Sequence, residues 1–550
     1  MIVKYFLKWP KVLHLQTVRK FSKIFRICVV GSGPAGFYTA QHVLKSNKDI
    51  YVDIFDKSPV PFGLVRYGVA PDHPEIKNVC QTFEEIARNP RCTFYGNVNI
   101  GQDLRISNLS EIYCAVVLAF GADDDKKLNI TGEDAEGVVS ARSFVGWYNG
   151  LSAHANLSVN LDCETAVIVG QGNVALDVAR ILLAPLKHLE VKTDICKHAY
   201  DALSKSRIRR VHIVGRRSPL EVSFTIKELR EMINLEDTIA LFNPEDFKNI
   251  EMIVEDLPRQ RKRIIDLMCK TATLSQKLFY SSKDNSLKDK KLWSLDFLKN
   301  PVKILTSAHK VTGIRFEKNK LDTKNNIKVA VGMGVFEDLT CGMVLRSIGY
   351  KSIKIDDGIP FDAQLGIIPN INGRVVERVS SKDIVKGLYC SGWVKHGPVG
   401  MIVTTMNEAY ETAENIIRDM KSGIIQDKFD TNVGEYMKLK GIKYVSFDGY
   451  KQIDFEEVQR GNLSKKPREK IVSLSEMLDY LRMTLVEELG DSLELKGVLH
   501  FKGGFDGASS QSIEYPLSGK QHFKSSWDSF QNEAPFEYNV LKKLVFFIYS

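Results

Sequence analysis

Residues 26–44 read RICVVGSGPAGFYTAQHVL, and the fold turns on this stretch. Ile27–Val30 is an apolar run of strand type, Gly31-x-Gly33-x-x-Gly36 follows, and a helical pattern continues to Leu44. Each glycine has its own physical reason. The first permits a tight turn, the second lets backbone approach a pyrophosphate, and the third lets the helix pack close to the strand. The helix start then offers amide donors and a partial positive charge to phosphate. Such a spacing alone is weak. Here strand and helix flank it, and the next alternating segment, DIYVDIFDK (49–57), carries an acid at Asp56. That lies about twenty residues past Gly36, where a ribose-binding carboxylate belongs. The stretch predicts an adenine-dinucleotide site.

The pattern recurs in TAVIVGQGNVALDVARILL (165–183). A strand over Ala166–Val169 leads into Gly170-x-Gly172-x-x-Ala175 and a helix. Its next strand, in RRVHIVGRRSP (209–219), ends in Arg216 and Arg217, where the first copy has Asp56. A carboxylate there would repel a 2′-phosphate, whereas guanidinium groups pair with it. The first copy is therefore expected to hold FAD, and the second NADPH rather than NADH. Arginines that merely coat a solvated loop are the plainer alternative. Roughly forty residues separate Ala175 from Arg216, a longer gap than this motif needs. The basic Ser/Lys/Arg stretch 192–208 reads as an insertion within it.

Further glycines fit a pair of nucleotide folds. AVVLAFGAD (115–123) is a buried-type strand reaching Gly121, and GMVLRSIGYKS (342–352) is similar, reaching Gly349. GLYCSGWVKHGPVGMIVTTMNEA (387–409) has a short strand, Gly392, an aromatic, then Gly397-Pro398-x-Gly400 opening a helix. Such a helix start aims amides where a reduced flavin ring gathers negative charge.

The 550 residues, 44% of them hydrophobic, suffice for two to four domains of an α/β chain. No uninterrupted apolar stretch reaches the roughly 18 residues of a membrane helix. The net charge of +9 is concentrated at the start. Lys4, Lys8, Lys11, Arg19, Lys20, Lys23 and Arg26 precede the first acid, Asp49, so residues 1–26 read as a mitochondrial targeting peptide. The remainder is nearly neutral, and no nucleic-acid partner is expected. Nine cysteines are scattered, Cys80 and Cys92 being the closest pair. No CxxC is present, so no metal site and no redox disulfide is expected, and the thiols read as inert in a reducing compartment.

Without a disulfide to receive electrons, a one-electron protein carrier is the natural outlet for a flavin. Such carriers are typically acidic, so a basic docking face is expected. Candidates are Arg230 in TIKELREMI (225–233) and the run RQRKR (259–263), which could equally be a solvated helix face. Two other readings stay open: a flavoenzyme with a small-molecule acceptor, and a nucleotide-binding scaffold without turnover.

The segments CVVGSGPAGFYTAQH, PFGLVRYGVAPDHPEIKNV, FVGWYNG, VGQGNVALDVARILL, FTIKELREMI, IGYKS and YCSGWVKHGPVG together carry a resemblance. The chain resembles the mitochondrial NADPH:adrenodoxin oxidoreductase family, the ferredoxin–NADP+ reductases of the glutathione-reductase-like class, over about residues 26–481. The resemblance implies two Rossmann-like domains, with an NADPH domain (126–349) inserted into a discontinuous FAD domain (27–125 and 350–481). It implies FAD and NADPH as cofactors and a [2Fe–2S] ferredoxin of adrenodoxin type as acceptor. It places the protein in the mitochondrial matrix, with peripheral association to the inner membrane left open. Cytochrome P450, haem and iron–sulfur pathways are all open as the destination of the electrons.

Residue by residue, the resemblance assigns Ala35, Asp56 (commonly Glu in the family), Leu64, Ile100, Trp393, Gly400, Met401 and Ile402 to FAD. It assigns Gly170, Gln171, Gly172, Asn173, Arg216, Arg217, Glu228 and Gly400 to NADPH. Asp177 and His73 are implied to lie near the flavin as proton- or electron-path residues, and Arg230, Arg259 and Arg263 to dock ferredoxin. Residues 482–550, rich in Gly and Ser around 503–519, depart from the family and are expected to be an extension without an assigned role.

Overall fold

A computed structural model describes residues 24–248, 250, 257–280, 289–324, 327–428 and 432–493. The targeting-peptide reading falls almost wholly outside these residues, as does most of the 482–550 extension.

The first sheet has seven strands in the order Asn370–Ile371, Arg374–Val376, Ile384–Cys390, Ala115–Leu118, Phe25–Val30, Ile50–Phe55 and Cys92–Tyr95. Phe25–Val30 pairs in parallel with Ile50–Phe55 on one side and Ala115–Leu118 on the other. Ile384–Cys390 joins Ala115–Leu118, also in parallel, so a late part of the chain completes the sheet that the early part begins. Ile27, Val29, Ile54, Val117 and Leu118 are wholly buried, as expected for parallel strands covered on both faces.

The second sheet has six parallel strands in the order Val138–Ser140, Met343–Arg346, Thr165–Val169, Arg210–Val214, Lys291–Asp296 and Thr238–Ala240. The chain passes between the two sheets twice, and there Asp124–Asp125 pairs antiparallel with Tyr350–Lys351. A separate antiparallel sheet of Lys299–Ser307, Lys310–Lys324 and Ile327–Thr340 follows the strand Lys291–Asp296.

Both glycine turns use one packing device. Gly31 has φ +110°, and a Cβ there would meet the Ala119 carbonyl oxygen at 2.5 Å. Gly170 has φ +125°, and its Cβ would meet the Ser347 carbonyl oxygen at 2.1 Å. In each case the first glycine lies against backbone just past the neighbouring parallel strand, where no side chain fits. The helices Pro34–Ser46 and Asn173–Leu183 leave these turns as the spacing predicts.

The stretch 192–208, read as an insertion, is packed into the fold. The helices Leu186–Lys192 and Lys197–Leu203 fill the crossover, and Ile195, Cys196, Ala199 and Leu203 are buried. Between them Asp194 holds Lys77 at 2.6 and 2.8 Å and Lys470 at 2.9 Å. The basic composition of the region hid these few apolar positions. The C-terminal segment ties in here too: Lys466 donates to the Ile195 carbonyl, and Glu469 accepts from the Lys197 amide at 2.8 Å.

Candidate functional site

At the first glycine turn, Gly33 has nothing within 4 Å of the position a Cβ would take. Gly63 comes nearest from the opposite loop, its own Cβ position lying 3.2 Å from the Gly33 Cα. Backbone is thus bared along a strip at this turn. Asp56 stands at the end of Ile50–Phe55, as the spacing predicts. Its carboxylate accepts the Ser32 amide at 2.8 Å, the Ser32 hydroxyl at 2.6 Å and the Ser58 amide at 2.9 Å. Burial pushes this carboxyl up from its ordinary value, and the Ser32 bonds oppose the shift.

Ala35 is buried on the first helical turn, and a Cβ on Gly392 (φ +70°) would lie 2.5 Å from the Ala35 Cβ. This contact brings the segment after Gly392 onto the glycine turn. Trp393 opens the short helix Trp393–His396, its ring centroid 5.5 Å from that of Tyr350. Gly400, Met401 and Ile402 form the N-terminus of the helix Ile402–Lys421, with Val399, Met401 and Val403 exposed. Leu64 begins the helix Leu64–Tyr67 directly after Gly63. Ile100 differs from these: its side chain is buried in the core with Leu104 and Leu109, leaving only backbone for a ligand.

At the second turn Gly172 also has nothing within 4 Å of its Cβ position. Gln171 and Asn173 spend their side chains on the turn itself. Gln171 Nε2 donates to the Asp296 carbonyl at 2.9 Å, and Asn173 Oδ1 accepts the Thr225 amide at 2.8 Å. Only their backbone amides are left for a ligand at this turn. Arg216 and Arg217 are exposed just past the strand Arg210–Val214. Among the described residues neither has an ion-pair partner. Glu228 is buried in the first turn of the helix Ile226–Ile233 and accepts the Thr225 hydroxyl.

Asp177 and His73 sit in one cluster between the two nucleotide folds, joined through residues that the sequence reading did not single out. Arg180, only 3% exposed, donates to Asp72 at 2.5 and 3.1 Å and to Asp177 at 2.8 Å. Its third nitrogen lies 3.7 Å from Glu231, whose carboxylate is 2.8 Å from His73 Nε2. Burial raises the Asp177 carboxyl, opposed first by Arg180 and then by His73. Burial also acts on Asp72, but the Arg180 bonds outweigh it and hold that carboxyl below its ordinary value. The available signals were small: Arg180 lies one helical turn from Asp177, and Asp72 adjoins His73.

Arg230, Arg259 and Arg263 are all exposed and without an ion-pair partner among the described residues. Arg261, within the same run, turns inward to the Val222 carbonyl at 2.5 Å. The five-residue run is thus not uniformly solvated. All nine cysteines are free thiols.

Two parallel-sheet nucleotide folds, one with an acid and one with paired arginines at the equivalent strand end, define a pyridine-nucleotide flavoprotein of the two-dinucleotide class. Residues 25–236, spanning both glycine turns, match the family model described as pyridine nucleotide-disulphide oxidoreductase. The chain is 49% identical over 471 residues to the mitochondrial NADPH:adrenodoxin oxidoreductase of Mus musculus, covering 84% of this chain and 93% of that protein. It is 43% identical to the protein of the same name from Arabidopsis thaliana, covering 83% and 95% of the two chains. Among solved structures, Mycobacterium tuberculosis FprA in complex with NADPH superposes with TM-score 0.77 at 35% identity, covering 84% of this chain and 100% of that one. The chain belongs to the NADPH:adrenodoxin oxidoreductase family.

Proposed function

We propose that this chain takes hydride from NADPH and passes electrons singly to a [2Fe–2S] ferredoxin of adrenodoxin type. FAD, when bound, supplies the exchange between a two-electron hydride and single electrons. Family membership supports this reading, and one observation carries it within the structure: the chemical contrast between Asp56 and the pair Arg216–Arg217 at matching strand ends. The FAD domain is assigned to 27–125 and 350–481, and the NADPH domain to 126–349. The curated relatives named above are mitochondrial, and the basic, acid-free leader supports the same address for this chain.

In this reading Gly31, Gly33 and Gly36 with Ala35 cradle the FAD diphosphate, and Asp56 accepts from its adenosine ribose. Leu64, backbone at Ile100, Trp393, Gly400, Met401 and Ile402 would hold the rest of it, the last three from the start of the helix Ile402–Lys421. Gly170, Gln171, Gly172 and Asn173 offer backbone to the NADPH diphosphate. Arg216 and Arg217 pair with its 2′-phosphate, and Glu228 lies along the same site. Asp177 and His73 hold charge and protons where the two nucleotides meet.

Arg230, Arg259 and Arg263 dock the acidic ferredoxin. Steering by such a face accelerates encounter and weakens with salt. Among the described residues no helix is long and apolar enough to cross a membrane, and contact with the inner mitochondrial membrane is peripheral in this proposal.

The test is rapid mixing of the flavin-loaded protein, first with NADPH and then with oxidised ferredoxin. NADPH should bleach the flavin absorbance, and ferredoxin should restore it while becoming reduced. A flavin that stays reduced with ferredoxin but is reoxidised by a quinone would move the protein to the small-molecule class.

A further inference from the structure

Three successive carbonyls, those of Gly215, Arg216 and Arg217, are each held from outside their own loop. The Lys299 amide donates to Gly215 at 3.1 Å and the Leu298 amide to Arg217 at 3.1 Å. Between them Asn319 Nδ2 donates to the Arg216 carbonyl at 3.1 Å. The Asn319 amide in turn donates to the Leu298 carbonyl at 2.7 Å, closing the network. Two of the three outside donors are backbone, which any sequence supplies at a turn of this shape. Asn319 alone does it with a side chain.

Its position is unusual. Asn319 is 6% exposed and sits on Lys310–Lys324, the middle strand of the antiparallel sheet. The ladder to Ile327–Thr340 shifts register between Glu317 and Asn319. Such irregularities re-aim a side chain. The turn it supports is itself strained, since Leu298 has φ +54°. The arrangement leaves the Arg216 and Arg217 side chains free of carboxylates while their backbone is fixed. Fixing the backbone lowers the entropy lost when two long cationic side chains close on one small anion.

We propose that Asn319 is a positioning residue for nucleotide choice, holding the Arg216 carbonyl so that both guanidinium groups face a 2′-phosphate. The antiparallel sheet 299–340 then serves as a buttress for specificity. This inference rests on the reading that Arg216 and Arg217 bind the 2′-phosphate.

The experiment uses the full-length, flavin-loaded protein and two soluble probes, 2′,5′-ADP and ADP, titrated calorimetrically, with KM and kcat for NADPH and NADH measured beside them. Asn319→Leu keeps the branched shape, at a larger volume, and removes the donor, and Asn319→Ser serves as a smaller variant should the first not fold. Arg315→Ala, which breaks the exposed Arg315–Asp338 pair on the same sheet, is the control for general loosening. Arg216→Ala reports on the underlying reading.

Asn319→Leu or Asn319→Ser should weaken 2′,5′-ADP about three- to tenfold, the worth of one neutral hydrogen bond. ADP affinity and kcat should hold, and Arg315→Ala should move neither probe. Equal weakening of both probes, or a lower melting temperature with unchanged preference, overturns the inference and leaves Asn319 a structural residue. An unchanged preference in Arg216→Ala overturns the 2′-phosphate reading, and the inference falls with it. A preference lost in Arg216→Ala but kept in both Asn319 variants overturns only the role of Asn319.

Discussion

Arg180 grips Asp72 through two nitrogens, at 2.5 and 3.1 Å, although Arg180 follows the second glycine turn and Asp72 the first. The same guanidinium reaches Asp177 at 2.8 Å. One buried cation thus compensates two carboxylates and fastens the two nucleotide folds together. Removing one partner of a buried ion pair leaves the rest desolvated and unpaired, which costs about 3–5 kcal/mol. Arg180→Ala should lower stability by that order in denaturant titration, and Arg180→Lys should recover only part of it, since an ammonium cannot reproduce the planar fork. A loss below about 1 kcal/mol, the range of a surface pair, would show that the cluster bears little load.

Gly33 and Gly36 should behave in opposite ways. Gly33 has φ −78° and open space at its Cβ position, so Gly33→Ala should fold with little change in the melting temperature of the flavin-free protein. The new methyl occupies the strip assigned to the FAD diphosphate, so flavin content after purification should fall sharply. At Gly36 the Cβ would lie 2.0 Å from the Gly31 carbonyl oxygen. Gly36→Ala should therefore destabilise the fold itself. Retention of flavin by Gly33→Ala would contradict the assignment of the strip.

Asp194 and its two lysines set a pH dependence. Burial alone would raise the Asp194 carboxyl, but Lys470 and Lys77 outweigh it and hold it well below the carboxylate range. A depressed carboxyl contributes stability above its unfolded pKa of about 3.9, lost as pH falls toward the folded value. Lys77 is pushed down to about 8, first by burial and then by Lys470, despite its bonds to Asp194. A depressed lysine has the opposite sign in pH: its charged form disfavours folding at and below neutrality, and stability recovers as pH rises from about 8 toward the unfolded value of about 10.4. Asp194→Asn should accordingly destabilise strongly at pH 7 and flatten the acid limb of a stability–pH curve. Lys77→Met should cost far less at pH 7 and remove the alkaline rise. Equal losses in both variants would contradict this sharing of one carboxylate.

The glycine turns and the contrast of Asp56 with Arg216 and Arg217 were legible because they depend on short spacings between a strand and the helix after it. The closing contacts were not. Gly392 against Ala35, and Ser347 against Gly170, join residues far apart in the chain that no local period reveals. Arg180 carries no local signal in the sequence, because only the tertiary approach of Asp72 pairs and buries it. The packing of the run 192–208 is hidden for the converse reason: its basic residues dominate the sequence, whereas Asp194 and the buried Ile195, Cys196, Ala199 and Leu203 are too few to set a pattern.

The most direct test of the central claim is steady-state cytochrome c reduction by the full-length, flavin-loaded protein. NADPH or NADH would be the donor, with and without a mitochondrial [2Fe–2S] ferredoxin, over a series of salt concentrations. The account predicts a rate that requires ferredoxin, strongly prefers NADPH and falls as salt screens Arg230, Arg259 and Arg263. A rate that is indifferent to ferredoxin, or equal with NADH, would contradict it.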